Sequence, residues 1–275
     1  MSDASEREEA RLTRHAGLGD LELLTARYRD HAYALHTHDS YVFGVVVAGV
    51  EKLRINRQSY LAPANSVIIV NPEDPHDGEK GCDAGWAYRT CYPRPELMRE
   101  VAEDLGLGHL PMFSQGILDA PDLAGDFVQA HRLAVSGRTM EAETAMLMAL
   151  RGLTLRFADR NGRDPLPNES EATRRFRLYR EQIEADLARA FDLAGLAEAA
   201  GVTRFQVIRD FKRAAGMTPG QYLRDCRIRA ASVLMRTGKP LAEIAFETGF
   251  ADQSHFNRLF KSMRGLSPGA FREAG

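Results

Sequence analysis

The chain has 275 residues, 44% hydrophobic and 27% charged, with a formal net charge of −2 at pH 7. That length suits about two domains, each able to bury its own core. No apolar run approaches the ~18 residues needed to cross a membrane, and MSDASEREEARLTRH lacks the apolar core of a secretory signal. The expectation is a cytoplasmic protein with no membrane partner. Its three cysteines (Cys82, Cys91, Cys226) have no metal-ligand spacing and read as reduced thiols.

The near-neutral total hides a division. Residues 174–275 hold 18 Lys+Arg against 11 Asp+Glu, and the rest of the chain holds 18 against 27. A basic part joined to an acidic one suggests that the C-terminal part meets a polyanion.

In chain order, residues 1–20 read as a charged, flexible arm. Strand signals fill Ala32 to Tyr92. YVFGVVVAGVEKLRI shows two β-rich runs around a turn signal at Ala48-Gly49. YLAPANSVIIVNPEDPH places a turn at Pro63-Ala64-Asn65 before the apolar run Val67–Val70. In GWAYRTCY, Trp86, Tyr88 and Thr90 alternate with Ala87, Arg89 and Cys91. Many short strands between turns predict a barrel or sandwich.

Past Pro93 the period becomes helical. Leu97, Val101 and Leu105 recur at a four-residue step, as do Phe127, His131 and Val135. Phe127, Leu133, Met140, Met146, Met148 and Leu150 are candidates for that domain's core or for a dimer contact. The polar, proline-bearing ADRNGRDPLPNESEAT reads as a linker. The expected division is an arm at 1–20, a sensing and dimerising domain at 21–160, a linker at 161–173 and a helical domain at 174–275.

The helical domain repeats itself. FKRAAGMTPGQY (211–222) aligns with FKSMRGLSPGAF (260–271) at an offset of 49, and LAEAAGV with LAEIAFETGF upstream. Each copy reads as a helix-turn-helix. In the first, Asp192 caps a helix, Gly201 makes the turn, and Thr203 caps the next helix with Gln206 three residues on. In the second, Pro240 opens a helix, Gly249 makes the turn and Asp252 caps the next.

Val207 and Phe211 then face inward, leaving Arg204, Phe205, Ile208, Arg209 and Lys212 outward. The matching face of the second copy shows Gln253, Ser254, His255, Asn257 and Arg258. Those types read base edges: Arg pairs with guanine, Asn and Gln with adenine, and apolar groups meet the thymine methyl. Thr218-Pro219-Gly220-Gln221 starts a connecting helix that runs to about Thr237. At 1.5 Å per residue it spans roughly 28 Å, near one turn of DNA.

IAFETGFADQSHFNRLFKSMRGLSPGAFR (244–272) and LAEAAGVTRFQVIRDFKRAAGMTPGQYL (196–223) resemble the C-terminal domain of the AraC/XylS family of bacterial transcription regulators. The resemblance covers residues 174–275. It implies an all-α domain with two helix-turn-helix units along one side of double-stranded DNA. Base-facing positions fall on Arg204, Phe205, Ile208 and Arg209, then on Gln253, Ser254, His255, Asn257 and Arg258. Ile208 occupies a position often polar in the family, so the first unit reads by apolar contact or contributes mainly affinity. Lys212, Arg213, Lys261 and Arg264 are the expected phosphate contacts.

Residues 32–92 resemble the cupin-type sensor barrel that often precedes this module, through His36-x-His38, the Pro63-x-Asn65 turn and NPEDPH ending at His76. The implied fold class is α+β and multidomain: a cupin-like β-barrel with packed helices, then the all-α domain. Metal-binding cupins present a Glu shortly after the second His. Here Tyr41, Val42, Phe43 and Gly44 stand there. Three histidines suffice for some metals, but no metal and no cofactor is expected. His36, His38, Tyr41, His76, Trp86 and Tyr88 are the expected walls of an effector pocket. Arg54 and Arg89 are further candidates for an acidic ligand.

The expected function is a sequence-specific transcription regulator under small-molecule control, not an enzyme. The resemblance implies a homodimer and activation through RNA polymerase more often than repression. Two alternatives stay open at this point: a metal-dependent cupin enzyme with a DNA-binding appendage, and a constitutive DNA binder whose barrel only dimerises.

Overall fold

The computed structural model describes residues 8–137, 140–159, 171–189 and 191–274. The chain divides into two compact units. One comprises Met1–Ala32, Thr37–Arg163 and Glu273–Gly275, and the other Tyr33–His36 and Asp164–Arg272.

The first unit is sheet-rich. β1 (Glu9–His15) returns through Gly19, at φ 66, to β2 (Leu21–Tyr28), with His15 opposite Leu21 and Glu9 opposite Arg27. The expected flexible arm is therefore a strand from Glu9 onward, and residues 1–7 lie outside the described residues. The charges that looked like disorder belong to an edge strand, where Arg14 donates to Glu22 across the pair at 3.0 Å.

β3 (Tyr33–His36) groups with the second unit. β4 (Val42–Ile55) is a single strand of 14 residues. The turn expected at Ala48-Gly49 is a bulge instead, with a register shift between Val46 and Ala48. Gly49 takes φ 71, and a Cβ there would sit 2.0 Å from the Gly85 carbonyl oxygen. The glycine thus lets the strand bend against its neighbour rather than reverse. The reversal comes later, at Asn56 (φ 56), leading to β5 (Gln58–Pro63). Asn65 (φ 73) makes the predicted turn into β6 (Ser66–Val70), followed by β7 (His76–Lys80) and β8 (Trp86–Tyr92).

The bend lets β4 serve two sheets. Its first half lies between β8 and β6, within the order β1-β2-β8-β4-β6-β9, where β9 is Ile117–Asp119. Its second half lies between β5 and β7. All these pairings are antiparallel.

Strand alternation sorts the two faces. Val42, Val46, Leu53, Ile55, Ala62, Ile68 and Val70 form one buried cluster inside the barrel. Phe43, Val45, Leu21, Leu23, Val67, Ile69 and Cys91 form another, covered by α1 (Pro95–Asp104), α2 (Pro121–Ser136) and α3 (Met140–Phe157). Those helices contribute Met98, Val101, Phe127, Met146, Leu150 and Leu153. Of the candidate apolar positions, Met140 and Met148 face outward instead.

The second unit is helical apart from β3. α4 (Glu171–Ala185), α5 (Leu193–Ala199) and α6 (Arg204–Ala214) pack with α7 (Pro219–Leu234) around Tyr179, Ile183, Leu196, Val207, Phe211 and Tyr222. Leu35 of β3 packs against the same cluster. α8 (Leu241–Glu247), α9 (Gln253–Arg264) and α10 (Pro268–Glu273) follow. They carry a chain of aromatic contacts: Phe250 to Phe256 at 5.2 Å, Phe256 to Phe260 at 5.6 Å, and Phe260 to Phe271 at 5.3 Å. Most of the expected linker lies outside the described residues, which resume at Glu171.

Candidate functional site

Local chemistry fixes both helix-turn-helix units. α5 starts where Asp192 accepts from the Gly195 amide at 2.6 Å. Gly201 turns the chain at φ 64, and Thr203 caps α6 by accepting from the Gln206 amide at 3.2 Å. In the second unit Gly249 turns at φ 83, and a Cβ there would meet the Leu187 carbonyl at 2.5 Å. Asp252 then caps α9, accepting from the His255 amide at 2.7 Å. α7, the connector, opens on the predicted capping box of Thr218 and Gln221.

With Val207, Phe211, Phe256 and Phe260 fully buried, the opposite faces are set. Arg204, Phe205 and Arg209 are exposed on α6, and Gln253, Ser254, His255 and Arg258 on α9. Phe205 is 74% exposed on this face, with its ring available for apolar contact. Lys212, Arg213 and Lys261 are exposed in the last turns of the two helices.

Three expected contacts differ. Ile208 is half-buried and lines an apolar hollow of about 330 Å³ with Ile183, Phe191, Leu196 and Leu223. Asn257, its counterpart at the 49-residue offset, is half-buried too, and its Oδ1 is buried with no hydrogen-bond partner among the described residues. That helix position points toward the flank of the unit rather than outward. Arg264 is also half-buried.

Sequence reasoning missed a buried polar chain behind α6. Arg175 of α4 grips Asp210 with both sides of its fork, at 2.7 and 3.1 Å. Tyr179 donates to the same carboxylate at 3.3 Å, and Gln206 Nε2 donates to it at 2.7 Å. Gln206 Oε1 in turn accepts from Arg209 at 2.7 and 3.3 Å. Burial opposes ionisation of Asp210, yet the bonds from Arg175 and Gln206 outweigh it and hold the carboxyl below its usual range. The sequence signal was an acid, Asp210, at the position where the repeat has Leu259.

In the sheet-rich domain, Trp86 and Tyr88 stack at 6.5 Å, and Tyr28 meets them at 5.3 and 6.2 Å. The Trp86 indole N–H and the Thr90 hydroxyl are buried with no hydrogen-bond partner among the described residues. Glu51, two residues before Leu53 on β4, is buried as well, and burial pushes its carboxyl up to about 8. Neither Tyr28 nor Glu51 was expected from the sequence, because their burial is set by strands far apart in the chain: Tyr28 pairs with Trp86, and Glu51 with Ala62 and Lys80.

His38 and His76 come together, their rings 5.1 Å apart and a ring nitrogen of each within 4.8 Å of the other. Tyr92 lies 5.0 Å from His38. His36 is buried, with its Nδ1 2.7 Å from the Ala34 carbonyl oxygen. Tyr41 does not join the candidate pocket. It lies in the cluster under the helices, stacks beside Phe43 and donates to the Pro111 carbonyl at 2.8 Å. The reason is parity: Tyr41 and Phe43 point to the outer face of the sheet and Val42 to the inner one. Arg89 is likewise on the outer face, 3.3 Å from Nδ1 of the buried His131. Burial, then the Arg89 charge, lower His131 to about 4.

Comparison with known proteins agrees with both halves. Residues 18–150 match the AraC-like ligand binding domain, and residues 196–274 a helix-turn-helix domain. The HTH-type transcriptional regulator YbfI of Bacillus subtilis (strain 168) is 30% identical over 222 residues, 80% of each chain. The transcriptional activator RhaR of Klebsiella pneumoniae is 27% identical over 256 residues, 90% of each. In fold, the chain is similar to ToxT of Vibrio cholerae strain SCE256, solved with an unsaturated fatty acid, at TM-score 0.56 and 16% identity over 99% of this chain and 97% of that one. No helix among the described residues is long and apolar enough to cross a membrane. With a ligand-binding barrel, a duplicated helix-turn-helix unit and these relatives, the chain belongs to the AraC family of DNA-binding transcription regulators.

Proposed function

We propose that this protein is an effector-responsive regulator that reads DNA sequence with the outer faces of α6 and α9. The observation that carries this is the α9 surface. Gln253, Ser254, His255 and Arg258 are all exposed over a buried Phe256–Phe260–Met263 spine, and no apolar residue interrupts them. Arg204, Phe205 and Arg209 supply the matching face of α6, while Lys212, Arg213 and Lys261 meet phosphates and set the salt dependence. Ile208, Asn257 and Arg264 stand at the margin of this surface.

The effector site is the barrel interior, with Tyr28, Trp86, Tyr88, Glu51, His38 and His76 as its candidate walls. An indole N–H and a threonine hydroxyl buried without partners among the described residues favour a ligand carrying hydrogen-bond acceptors. An effector that prefers one conformation of the protein shifts its population and so its DNA affinity. Two further partners fit exposed surfaces. Met148 and Leu155, seven residues apart on α3 and 57% and 65% exposed, suit a homodimer contact. On α8, Phe246 is 79% exposed beside Glu243, an aromatic and acidic face suited to a protein such as RNA polymerase and not to DNA.

Sites selected by the full chain from a pool of randomised duplexes test the DNA reading. Arg258→Ala is expected to lose about 1–3 kcal/mol of affinity for the selected site and to relax one base position. An equal loss on random duplex would make Arg258 a phosphate contact. Trp86 is the only tryptophan, so intrinsic fluorescence reports directly on the barrel. A ligand that changes this signal, raises the melting temperature and shifts DNA affinity supports the sensor reading. A library in which no compound does so favours a constitutive binder. Stoichiometric metal in the purified protein, lost in His76→Ala, favours a metal-dependent barrel.

A further inference from the structure

We propose that Gln206 is a positioning residue that sets the guanidinium of Arg209 for reading one base, and that the buried Arg175–Asp210 pair holds Gln206 in that pose. The inference rests on the reading of α6 as a recognition helix.

The geometry runs in one direction, from the buried side of the helix to its surface. Asp210 is 2% exposed and anchored by Arg175 from α4. Gln206 lies one turn earlier on α6 and donates its amide to Asp210 at 2.7 Å. A carboxylate only accepts hydrogen bonds, so this contact fixes which end of the Gln206 amide points inward. The carbonyl end must then point toward Arg209, where it accepts from Nε and Nη2 at 3.3 and 2.7 Å. That occupies one edge of the guanidinium. The other edge, between Nη1 and Nη2, stays open, and it is an edge that can pair bidentately with guanine O6 and N7.

An exposed arginine on a free helix samples many rotamers and loses that freedom on binding. An arginine already clamped along one edge loses less, and misaligned partners are penalised more, so selectivity rises. The second unit lacks this device. The counterparts of Asp210 and Gln206 are Leu259 and His255, so Arg258 has no equivalent support from the buried side. Two arginines at corresponding positions are therefore expected to read with unequal stringency.

The test is base preference, measured with the full chain on duplexes selected from a randomised pool. Arg209→Ala, Gln206→Met and the double variant Gln206→Met/Arg209→Ala are compared with the wild-type protein. Gln206 is partly exposed, so its substitution leaves the core intact. The expected result is that Gln206→Met relaxes the same base position as Arg209→Ala, by about 10-fold in preference. The double variant should then be no more relaxed than Arg209→Ala alone, the signature of one residue acting through another. Arg175→Met/Asp210→Leu, which replaces both charges together, should relax that position as well.

Unchanged preference in Gln206→Met, with a relaxed position in Arg209→Ala, overturns the positioning role and leaves the recognition helix standing. Additive losses in the double variant overturn it too. If Arg209→Ala relaxes no position at all, the reading of α6 falls and the proposal falls with it.

Discussion

The two helix-turn-helix units share a sequence pattern, a turn glycine and a capped second helix, yet they are held together differently. The second relies on rings: Phe250, Phe256, Phe260 and Phe271 pass from contact to contact through its interior. The first keeps a comparable aromatic group, with Phe211 near Phe176, Tyr179 and Tyr222. It adds a buried ion pair and places Gln206 between that pair and a surface arginine. Duplication preserved the apolar spacing, because α6 and α9 must both bury one stripe and expose the other. Between the spine and the exposed face the copies were free to diverge. The divergence puts a charge inside one unit, where it stabilises only while paired.

The largest effects test what the units share. Phe211→Ala and Phe260→Ala each delete a fully buried ring and are expected to cost about 3–5 kcal/mol by denaturant titration. Equal losses confirm that the aromatic spine carries both units alike. A loss well under 2 kcal/mol in Phe211→Ala would mean that the ion pair carries weight that the rings carry in the second unit.

Next comes what the units do not share. Arg175→Met leaves Asp210 buried without its fork and is expected to cost about 3 kcal/mol. Replacing both, in Arg175→Met/Asp210→Leu, brings the first unit toward the second and should recover most of that loss. The pH dependence carries the same signature. Asp210 titrates below its ordinary value of 3.8 in the folded protein. Its contribution is therefore complete above that value and is lost as pH falls through the lower folded value. The double variant should show a shallower loss of stability in acid than the wild-type protein.

Glu51 makes a contrast of opposite sign. Its folded value is raised to about 8 from an ordinary 4.5, so the folded protein holds a proton that the unfolded chain has released. Stability conferred by this site then falls as pH rises from about 4.5 to 8. Glu51→Gln should raise the melting temperature by a few degrees at pH 8 and by less at pH 6. A flat difference across that range would mean that Glu51 is ionised and paired in the folded state.

How much of this was legible follows from the range of the interactions. Helix caps and turn glycines are local, and Thr203, Gly201, Thr218 and Asp252 could be named from neighbours a few residues away. The repeat made the outward faces legible as well, apart from Asn257 on α9 and from Ile208, whose flank depends on how α4, α5 and α7 close around α6. The barrel was harder. A single residue of parity decides whether Tyr41 faces a pocket or a helix, and the strand's start was not marked sharply enough to set it. Gly49 looked like a turn because the feature that makes it a bulge, the Gly85 carbonyl, lies more than thirty residues away. β1 looked like an arm because charge on an edge strand and charge on a disordered segment read alike.

The smallest expected effects return to the two units at their first turns. Thr203→Ala and Asp252→Ala each remove the side chain that accepts the amide three residues on, at 3.2 and 2.7 Å. Each should cost about 1 kcal/mol. Asp252 should cost slightly more, since its carboxylate also faces the positive end of the α9 dipole. The consequences for DNA should separate further than the stabilities do. Thr203 orders the backbone at Arg204 and Phe205, but Gln206 still holds Arg209 through Asp210 once that cap is gone. Asp252 orders the start of α9, where Leu259 stands at the position that corresponds to Asp210. Base preference measured on selected duplexes should therefore weaken more in Asp252→Ala than in Thr203→Ala. The reverse order would show that the internal ion pair does not steady the reading face of the first unit.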